Sequence, residues 1–366
     1  MYVLKTLLDN RPRFILTLAG IALCTVLMLL LVAIYNGVLF GSVEYISSSN
    51  VDLWVLQNHS NNIMRSNSYL SIKHKNAIKK IEGAEMVAPV FFILVNTHLS
   101  ESSPTIYLTG YDNKSGMGGP PLIKRGRNIS SKKEIVIDQS FARKYHVKIG
   151  DRIPLKKDSL IVCGISEGTN MFVIQYAFVD LEEAWDLAGI DDYVSCYQVK
   201  LEPGTNKKEV ANRIQAKLGN TIVFDQAKFL ENNKREVESG ILPLLFAVAF
   251  ISAIVLTAIL SLILTINVME KREEYAIFKA LGSPRGFVSV LVIKQSVILA
   301  TSGLISGALL FVPFTHLVEW LSPEVSVRIS LIHIAAVFSC IEILSLISAA
   351  LPVLRLRTIY PYEVFR

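Results

Sequence analysis

The segment from Met269 to Pro284 combines charged side chains with regularly spaced apolar ones. Tyr275, Phe278 and Leu281 recur every three residues, a spacing that places them on one face of an amphipathic helix. Such a face suits insertion into a hydrophobic groove of a cytoplasmic partner. The alternative is a helix lying in the lipid headgroup region. The carboxylates in its first part favour docking, because anionic lipid repels them.

The ends of this helix carry separate signals. Gly282 suits the left-handed residue that ends many helices, and Pro284 prevents continuation just beyond it. Acidic side chains near its start favour the N-terminal end through the helix dipole. The residues assigned to the docking site are Glu270, Arg272, Glu273, Glu274, Tyr275, Phe278, Lys279, Leu281 and Gly282.

The polar middle of the chain offers little catalytic chemistry. Its histidines form neither an HExxH nor an HxH arrangement: His59, His74, His98 and His146. The glycine-rich run at Gly116 leads into two prolines, so it cannot open a helix as a phosphate-binding loop does. The sequence contains no P-loop, so any ATP that drives this protein binds to another chain. We expect no catalytic residue, metal or cofactor on this chain.

Polar and small residues also occur inside long apolar stretches. Glu342 lies near the middle of the last stretch, where an ionisable group must face protein or water. It is either a polar relay or substrate contact, or a carboxyl bonded to a neighbouring helix. Gln295 lies near the start of the third stretch, beside Lys294, which can extend to the interface. Gly303 and Gly307 permit close helix packing, at a dimer interface or within one subunit.

The candidate residues named above lie within or between four apolar stretches of the chain. Each stretch is longer than the ~20 residues that a helix needs to cross a membrane. The 366-residue sequence is 51% hydrophobic with a mean hydropathy of +0.43, which excludes an ordinary soluble globular protein. We predict an α-helical membrane protein with four transmembrane helices and an α+β extracytoplasmic domain inserted between helices one and two. The transmembrane helices are predicted over 14–40, 241–268, 287–312 and 330–354. The other segments are 1–13, 41–240 with a stalk helix at about 225–240, 269–286, 313–329 and 355–366.

The distribution of basic residues predicts the orientation. They lie before the first span, in the loop after the second span, and after the fourth span: Lys5, Arg11, Arg13, Lys271, Arg272, Lys279, Arg285, Arg355, Arg357 and Arg366. The loop between spans three and four carries only Arg328. By the positive-inside rule, both termini and the 269–286 loop lie in the cytoplasm. The net charge of +6 therefore reflects topology, and no interleaving of aromatic and basic residues indicates nucleic-acid binding.

Within the outer domain, apolar and turn patterns predict alternating elements. Strands are expected at 51–57, 87–98, 105–111, 134–137, 159–165, 172–179 and 196–201. Helices are expected at 71–81, 138–146, 180–187 and 205–218, with Ser71, Asp138 and Asp180 as N-terminal caps. Cys163 and Cys196 both fall in this domain, and the sequence leaves open whether they pair.

Four parts of the chain resemble a known family, namely the start, the outer domain, the inner loop and the end, and together the likeness covers essentially the whole chain. Arg272–Pro284, read as REEYAIFKALGSP, resembles the inner loop of MacB/FtsX-type permeases, the mechanotransmitting class of ABC transporters. The start, 4–22, and the end, Tyr360–Arg366, resemble the family's termini, with Tyr360 where the family carries Asp. In the outer domain, 149–151 and 162–165 resemble the MacB-like periplasmic core, and 51–57 is similar to the DevC-like and haem/drug-export branch.

The resemblance implies a non-catalytic permease subunit of the bacterial inner membrane, working as a homodimer with two cytoplasmic ABC ATPase subunits. ATP and magnesium would bind to those partners, and Pro361, Glu363 and Arg366 would form a C-terminal contact with them. A periplasmic adaptor and an outer-membrane channel are further partners compatible with the family. The implied activity is export of a hydrophobic compound, lipid or peptide. The alternative is a signal transmitter that moves no substrate and activates an outer partner such as a cell-wall hydrolase.

Overall fold

The structure is a computed structural model that describes residues 11–64, 68–99, 103–156, 158–171, 174–284, 286–325 and 327–356. The chain divides into two compact units. The membrane unit consists of Met1–Asn36, Leu242–Val318 and Val327–Arg366. The outer unit consists of Gly37–Ile241 together with the short segment Glu319–Ser326.

Helices and strands alternate through the outer unit, and long helices make up the membrane unit. The helices are α1 (Arg11–Ser48), α2 (His74–Lys79), α3 (Gln139–Lys144), α4 (Leu181–Ala188), α5 (Lys207–Leu218), α6 (Gln226–Glu270), α7 (Arg272–Ala280), α8 (Phe287–Leu321), α9 (Leu331–Ser348) and α10 (Ala350–Leu356). The strands are β1 (Leu53–Gln57), β2 (Leu70–Ser71), β3 (Ala84–Asn96), β4 (Thr105–Tyr111), β5 (Leu122–Gly126), β6 (Glu134–Asp138), β7 (Arg152–Leu155), β8 (Asp158–Glu167), β9 (Gln175–Asp180), β10 (Tyr193–Val194), β11 (Cys196–Leu201) and β12 (Thr221–Asp225).

Four stretches of described helix are long and apolar enough to cross a membrane, so the chain is a multi-pass membrane protein. They are Phe14–Ser48, Gln226–Glu270, Phe287–Leu321 and Leu331–Arg355. Leu256, Leu260 and Leu264 recur every four residues along α6, and all three are buried in the apolar core of the membrane unit. Ile21 of α1 and Ile341 of α9 are buried in the same core.

Two helices extend beyond their predicted spans. α1 continues to Ser48. Tyr45 and Ile46 bury their side chains in the outer unit, and this burial stabilises the helix beyond the apolar stretch. α8 passes through Pro313 and ends only at Leu321, so the predicted end of this helix at residue 312 is wrong. A proline removes only one backbone hydrogen-bond donor, and proline is tolerated in membrane-spanning helices, so the apolar residues after Pro313 continue the helix. The predicted continuity of the charged 225–240 segment with span two is confirmed in α6.

The core of the outer unit is one ten-stranded mixed sheet with the order β12-β1-β11-β3-β4-β9-β6-β8-β5, and β7 pairs with β8. The pairs β4–β9 and β6–β8 are parallel, whereas the other pairs in this sheet are antiparallel. A small second sheet joins β2 to β10. The mixed pairing with interspersed helices confirms the predicted α+β class.

Alternate side chains of the strands separate into two cores. Leu53 of β1 and Leu108 of β4 belong to an aliphatic core that includes the buried faces of α2, α3, α4 and α5. Trp54 and Tyr107, each one residue away, belong to an aromatic core on the opposite face. The aromatic core also contains Tyr45 and Phe229, which lie on the parts of α1 and α6 that belong to the outer unit.

Most predicted elements of the outer domain occur, with corrections at helix starts. Asp138 and Asp180 cap α3 and α4 by accepting the backbone N–H of the residue two further on. Ser71 is not a cap, because it lies in β2, and α2 begins three residues later without a side-chain cap. The helix predicted from Thr205 begins at Lys207 and is capped by Asn206. Residues 172 and 173 lie outside the described part of their predicted strand.

The two cysteines of the outer unit are both free and buried. Cys196 lies on β11 and Cys163 on β8, and β3, β4, β9 and β6 separate these strands in the sheet. Five steps of about 4.8 Å put them roughly 24 Å apart, far beyond the ~6 Å that a disulfide allows between Cα atoms. The pairing left open by the sequence is therefore excluded.

Candidate functional site

The candidate docking helix is α7, a short helix between the membrane-spanning helices α6 and α8. Its C-terminal end forms a Schellman motif, in which the N–H of Ser283 donates to the carbonyl of Phe278 at 3.1 Å and the N–H of Gly282 to that of Lys279 at 3.2 Å. Gly282 has a φ of +83°, as the motif requires. The predicted glycine cap is confirmed.

The acidic residues divide between two helices. Glu273 and Glu274 lie in the first turn of α7, as predicted, and Glu274 pairs with Lys271 at 2.8 Å. Glu270 is instead the last residue of α6, because the chain leaves helical geometry at Lys271. It therefore cannot stabilise the start of α7 through the dipole as predicted. Arg272 and Lys279 mark the two ends of α7, where Lys279 suits the negative C-terminal end.

The predicted apolar face of Tyr275, Phe278 and Leu281 does not form a single exposed surface. Tyr275 is fully buried against the membrane helices, together with Val268 and Val292. Phe278 is half-buried and packs edge-to-face on Phe287 with ring centroids 5.9 Å apart. The spacing rule correctly identified an apolar face, but this face attaches α7 to its own chain.

A different pair of apolar side chains is exposed on α7. Leu281 at its C-terminal cap is 81% exposed, and Ile277 four residues earlier is 42% exposed. Residues four apart on a helix are neighbours, so the two form one apolar patch. The three-residue spacing predicted Leu281, whereas Ile277 was missed because it is out of step with that spacing. We call Ile277 and Leu281 the exposed patch.

Gln295 of α8 lies beneath α7 and is fully buried. It interacts with the Tyr275 hydroxyl and opposes the rise in pKa that burial causes for this tyrosine. Neither side chain has a hydrogen-bond partner of standard geometry among the described residues. This contact joins α7 to α8.

Glu342 of α9 is bonded to a neighbouring helix. Its Oε1 accepts a hydrogen bond of 2.8 Å from Thr301 of α8. Near this pair, the Ser296 hydroxyl of α8 donates to the backbone carbonyl of Ser345 in α9 at 2.7 Å. Of the two roles predicted for Glu342, the structure therefore provides direct evidence for the packing role, with the carboxyl linking spans three and four.

Gly303 and Gly307 pack against span one of the same chain. A Cβ atom at Gly303 would lie 2.4 Å from Cγ2 of Ile21. One at Gly307 would lie 2.6 Å from Cβ of Thr25 and 2.9 Å from the carbonyl oxygen of Ala22. The two glycines thus allow α1 and α8 to approach closely, and the second of the two predicted alternatives, packing within one subunit, holds.

The outer ends of the helix pair α1 and α6 are anchored on the aromatic core of the outer unit. The Tyr45 hydroxyl donates to the carbonyl of Gly118 at 2.8 Å. Trp54 stacks on Phe229 with centroids 4.6 Å apart, and its Nε1 donates to Oε1 of Gln226 at 2.6 Å. The amide nitrogen of Gln226 also donates to the backbone carbonyl of Ile46 at the end of α1. These contacts fasten the first residues of α6 to the sheet.

Two further observations concern the predicted absence of catalysis. Gly164–Gly168 has the letters of a GxSxG nucleophile elbow, but Ser166 is fully buried within β8. Its hydroxyl contacts the carbonyl of Ile137 and the hydroxyl of Thr169, whereas an elbow exposes its serine at a strand–helix turn. In the described part of the chain, no group of three His, Cys, Asp or Glu side chains could hold a metal. The predicted contact residues Pro361, Glu363 and Arg366 lie outside the described residues.

The comparisons with known proteins agree with this architecture. Residues 14–217 match the family model for the MacB-like periplasmic core domain, and residues 246–361 match that for the FtsX-like permease C-terminal region. A search of curated protein sequences found no match.

Two solved structures are similar to part of the chain. The periplasmic region of MacB from Actinobacillus actinomycetemcomitans is 13% identical, covers 51% of this chain and 94% of that one, and gives a TM-score of 0.41. The extracellular domain of the noncanonic ABC-type transporter YknZ from Gram-positive bacteria is 15% identical, covers 48% and 100%, and gives 0.38.

Four membrane helices and an inserted α/β domain, with sequence matches to both parts, define the membrane component of an ABC transporter. The first family match alone covers more than half of the chain. The chain belongs to the MacB/FtsX-type family of ABC transporter permeases, whose members work with ABC ATPase partners.

Proposed function

We propose that α7 receives the movement of a separate ATPase subunit and that this chain converts the movement into a conformational change outside the cytoplasm. The exposed patch carries the proposal. Ile277 and Leu281 are apolar and exposed in a loop between two membrane helices. Burying them in a groove of a partner would remove apolar area from water, which is favourable by about 25 cal/mol per Å².

The movement would reach the outer unit through helices that α7 contacts. Tyr275 attaches α7 to the helices around it, and α6 continues without interruption to Gln226. The outer unit would then expel a hydrophobic compound, lipid or peptide. ATP and magnesium would bind to the ATPase, so this chain acts without a catalytic residue of its own. Pro361, Glu363 and Arg366 would add a second contact with the ATPase.

The proposed assembly is a homodimer of this chain with two ATPase subunits in a bacterial inner membrane. The distribution of basic residues supports a cytoplasmic position for both termini and α7. A periplasmic adaptor and an outer-membrane channel would complete an export route. Gly303 and Gly307 contact α1 of the same chain, so a dimer interface would form on other surfaces.

The test is affinity purification of the full chain from native membranes, with mass spectrometry of the co-purifying proteins. The variants Ile277→Asp and Leu281→Asp should lose an ATPase that the unmodified chain retains, because a charge in an apolar groove is unfavourable. Both positions are exposed, so neither variant should disturb the fold. Phe278→Asp is less informative, because Phe278 packs on Phe287 within the chain.

The matched control is Leu122→Asp. It makes the same chemical change at a 56% exposed leucine in the outer unit and should leave the ATPase bound. Retention of the ATPase by both α7 variants would reject the docking role. Recovery of a cell-wall hydrolase without any transported compound would instead support the alternative of signal transmission.

A further inference from the structure

The loop between α8 and α9 is part of the outer unit. Residues Glu319–Ser326 cluster with Gly37–Ile241, although the helices on either side continue into the membrane unit. The attachment is made at Glu324. Its carboxylate lies 2.6 Å from Nζ of Lys144, at the C-terminal end of α3. Its backbone carbonyl accepts a hydrogen bond of 2.8 Å from Nδ2 of Asn170.

The ion pair is better shielded than a typical surface pair. The Glu324 side chain is 19% exposed and that of Lys144 is 40% exposed. The second carboxylate oxygen of Glu324 is buried and has no hydrogen-bond partner among the described residues. Loss of Lys144 would leave this partly shielded carboxylate without its cation, so it should weaken the attachment of the loop.

Asn170 also contacts the outer end of span one. Its carbonyl oxygen would lie 2.5 Å from a Cβ atom at Gly41 of α1, so the approach requires glycine at that position. Its side-chain oxygen accepts a hydrogen bond of 3.2 Å from Nε2 of Gln175 on β9. A single outer-unit residue therefore contacts both α1 and the 319–326 loop.

We propose that Glu324, held by Lys144 and Asn170, is a clamp that fastens spans three and four to the outer unit. The clamp is a third connection beside the covalent ones made by α1 and α6. It makes the outer unit move with α8, the helix against which α7 packs through Tyr275. The mechanical role rests on the function proposed above, whereas the attachment itself does not.

The clamp can be broken and restored in one protein. In the full chain, Lys144→Cys and Glu324→Cys together remove the ion pair, and a short reducible bis-methanethiosulfonate linker replaces it. Cys24 and Cys340 are changed to serine, and the buried Cys163 and Cys196 are kept. A specific protease site in the exposed turn at Glu202 cuts the chain into two fragments, which a denaturing gel separates unless they are linked.

The control pair is Lys144→Cys with Glu209→Cys. Glu209 lies on α5, which packs beside the edge strand β12, whereas α3 packs on β6 and β8 toward the other edge. Several strand spacings of about 4.8 Å separate these positions, so the linker cannot join them. We expect linked fragments for the Glu324 pair and none for the control. Linking no better than the control would overturn the attachment.

Hydrogen exchange tests the mechanical role of the clamp. The exchange rates of outer-unit peptides are measured in the purified complex of this chain with its ATPase, with and without a non-hydrolysable ATP analogue and magnesium. The nucleotide-induced change should fall severalfold in the unlinked double variant, return when the linker is added, and fall again after reduction. A change as large in the unlinked variant as in the unmodified chain would overturn the role. If no ATPase co-purifies, the proposed function and this role both fail, while linking still decides the attachment.

Discussion

Tyr275 of α7 and Gln295 of α8 are both fully buried within the membrane unit. Their unsatisfied polar atoms cost free energy, whereas the tyrosine ring fills space between Val268 and Val292. The ring, more than the hydroxyl, should therefore hold α7 in place. Such an arrangement makes α7 part of the helix bundle, and it leaves the exposed patch as apolar surface.

We predict opposite outcomes for two alanine substitutions on α7. Tyr275→Ala should destabilise the purified protein by about 3 kcal/mol, because it leaves a cavity. Tyr275→Phe keeps the ring and should change stability by less than about 1 kcal/mol. Ile277→Ala should leave stability within about 0.5 kcal/mol of the unmodified protein, because the side chain is exposed. Thermal unfolding in detergent measures all three, and equal losses for Tyr275→Ala and Ile277→Ala would contradict the assignment.

Glu134 predicts a pH dependence for the outer unit. Hydrogen bonds from Arg127, opposed by desolvation and aided by the backbone N–H of Ser130, lower the pKa of Glu134 from 4.5 to about 2. Because the folded pKa is lowered, this stabilisation is present above the ordinary pKa and is lost as pH falls toward about 2. Glu134→Gln should remove that part of the dependence. Melting curves from pH 6 to pH 2.5 test this, and identical slopes for both proteins would argue against it.

At the scale of elements, the contact between α1 and α8 depends on missing side chains. The nearest obstacle at Gly307 includes the backbone carbonyl of Ala22, which cannot move aside as a side chain can. Gly307→Ala should therefore destabilise the membrane unit by about 1–3 kcal/mol through overpacking. The control is Ser306→Ala, one residue away, whose hydroxyl donates to the carbonyl of Ser302 in its own helix. Unfolding in detergent should show a lower stability for Gly307→Ala than for Ser306→Ala. Equal stability of the two variants would show that the contact between α1 and α8 is loosely packed.

The elements that the sequence predicted well are those whose signals are local. Asp138 and Asp180 precede their helices in the chain, so capping can be read directly. β5, β7 and β12 were missed: β5 and β12 lie at the two ends of the strand order, β7 pairs only with β8 among the described strands, and β5 is largely exposed. Edge strands carry weak apolar alternation. The partner of Gly303 and Gly307 could not be predicted, because spacing on one helix does not identify the helix that approaches it.

The candidate site shows the same division between local and non-local information. The glycine cap of α7 follows from Gly282 and its neighbours, and the sequence predicted it. Which side of α7 is covered depends on α8 and on residues near Val353, far away in the sequence. The clamp at Glu324 joins residues 180 positions apart, so no spacing rule could reveal it.

At the scale of the whole molecule, the stability should not depend on redox conditions. The two outer-unit thiols are buried on strands far apart, and burial raises the pKa of Cys163 to about 11. Thiolates are therefore scarce, and the thiols should be unreactive while the protein is folded. In a variant with Cys24 and Cys340 changed to serine, we expect the same melting temperature with and without reductant, and thiol labelling of Cys163 and Cys196 only after unfolding. A reductant-dependent shift would contradict the strand order of the sheet.

The stacking of Trp54 on Phe229 has an optical consequence. Of the three tryptophans in the chain, Trp54 is fully buried, and its indole N–H is bonded to Gln226 at the very start of α6. Trp320, in contrast, is 77% exposed. If α6 shifts against the sheet, the surroundings of Trp54 change while its position on β1 does not. With Trp185 and Trp320 changed to phenylalanine, Trp54 becomes an intrinsic fluorophore beside the first residues of α6, and its emission reports a shift of α6 against the sheet without an added label.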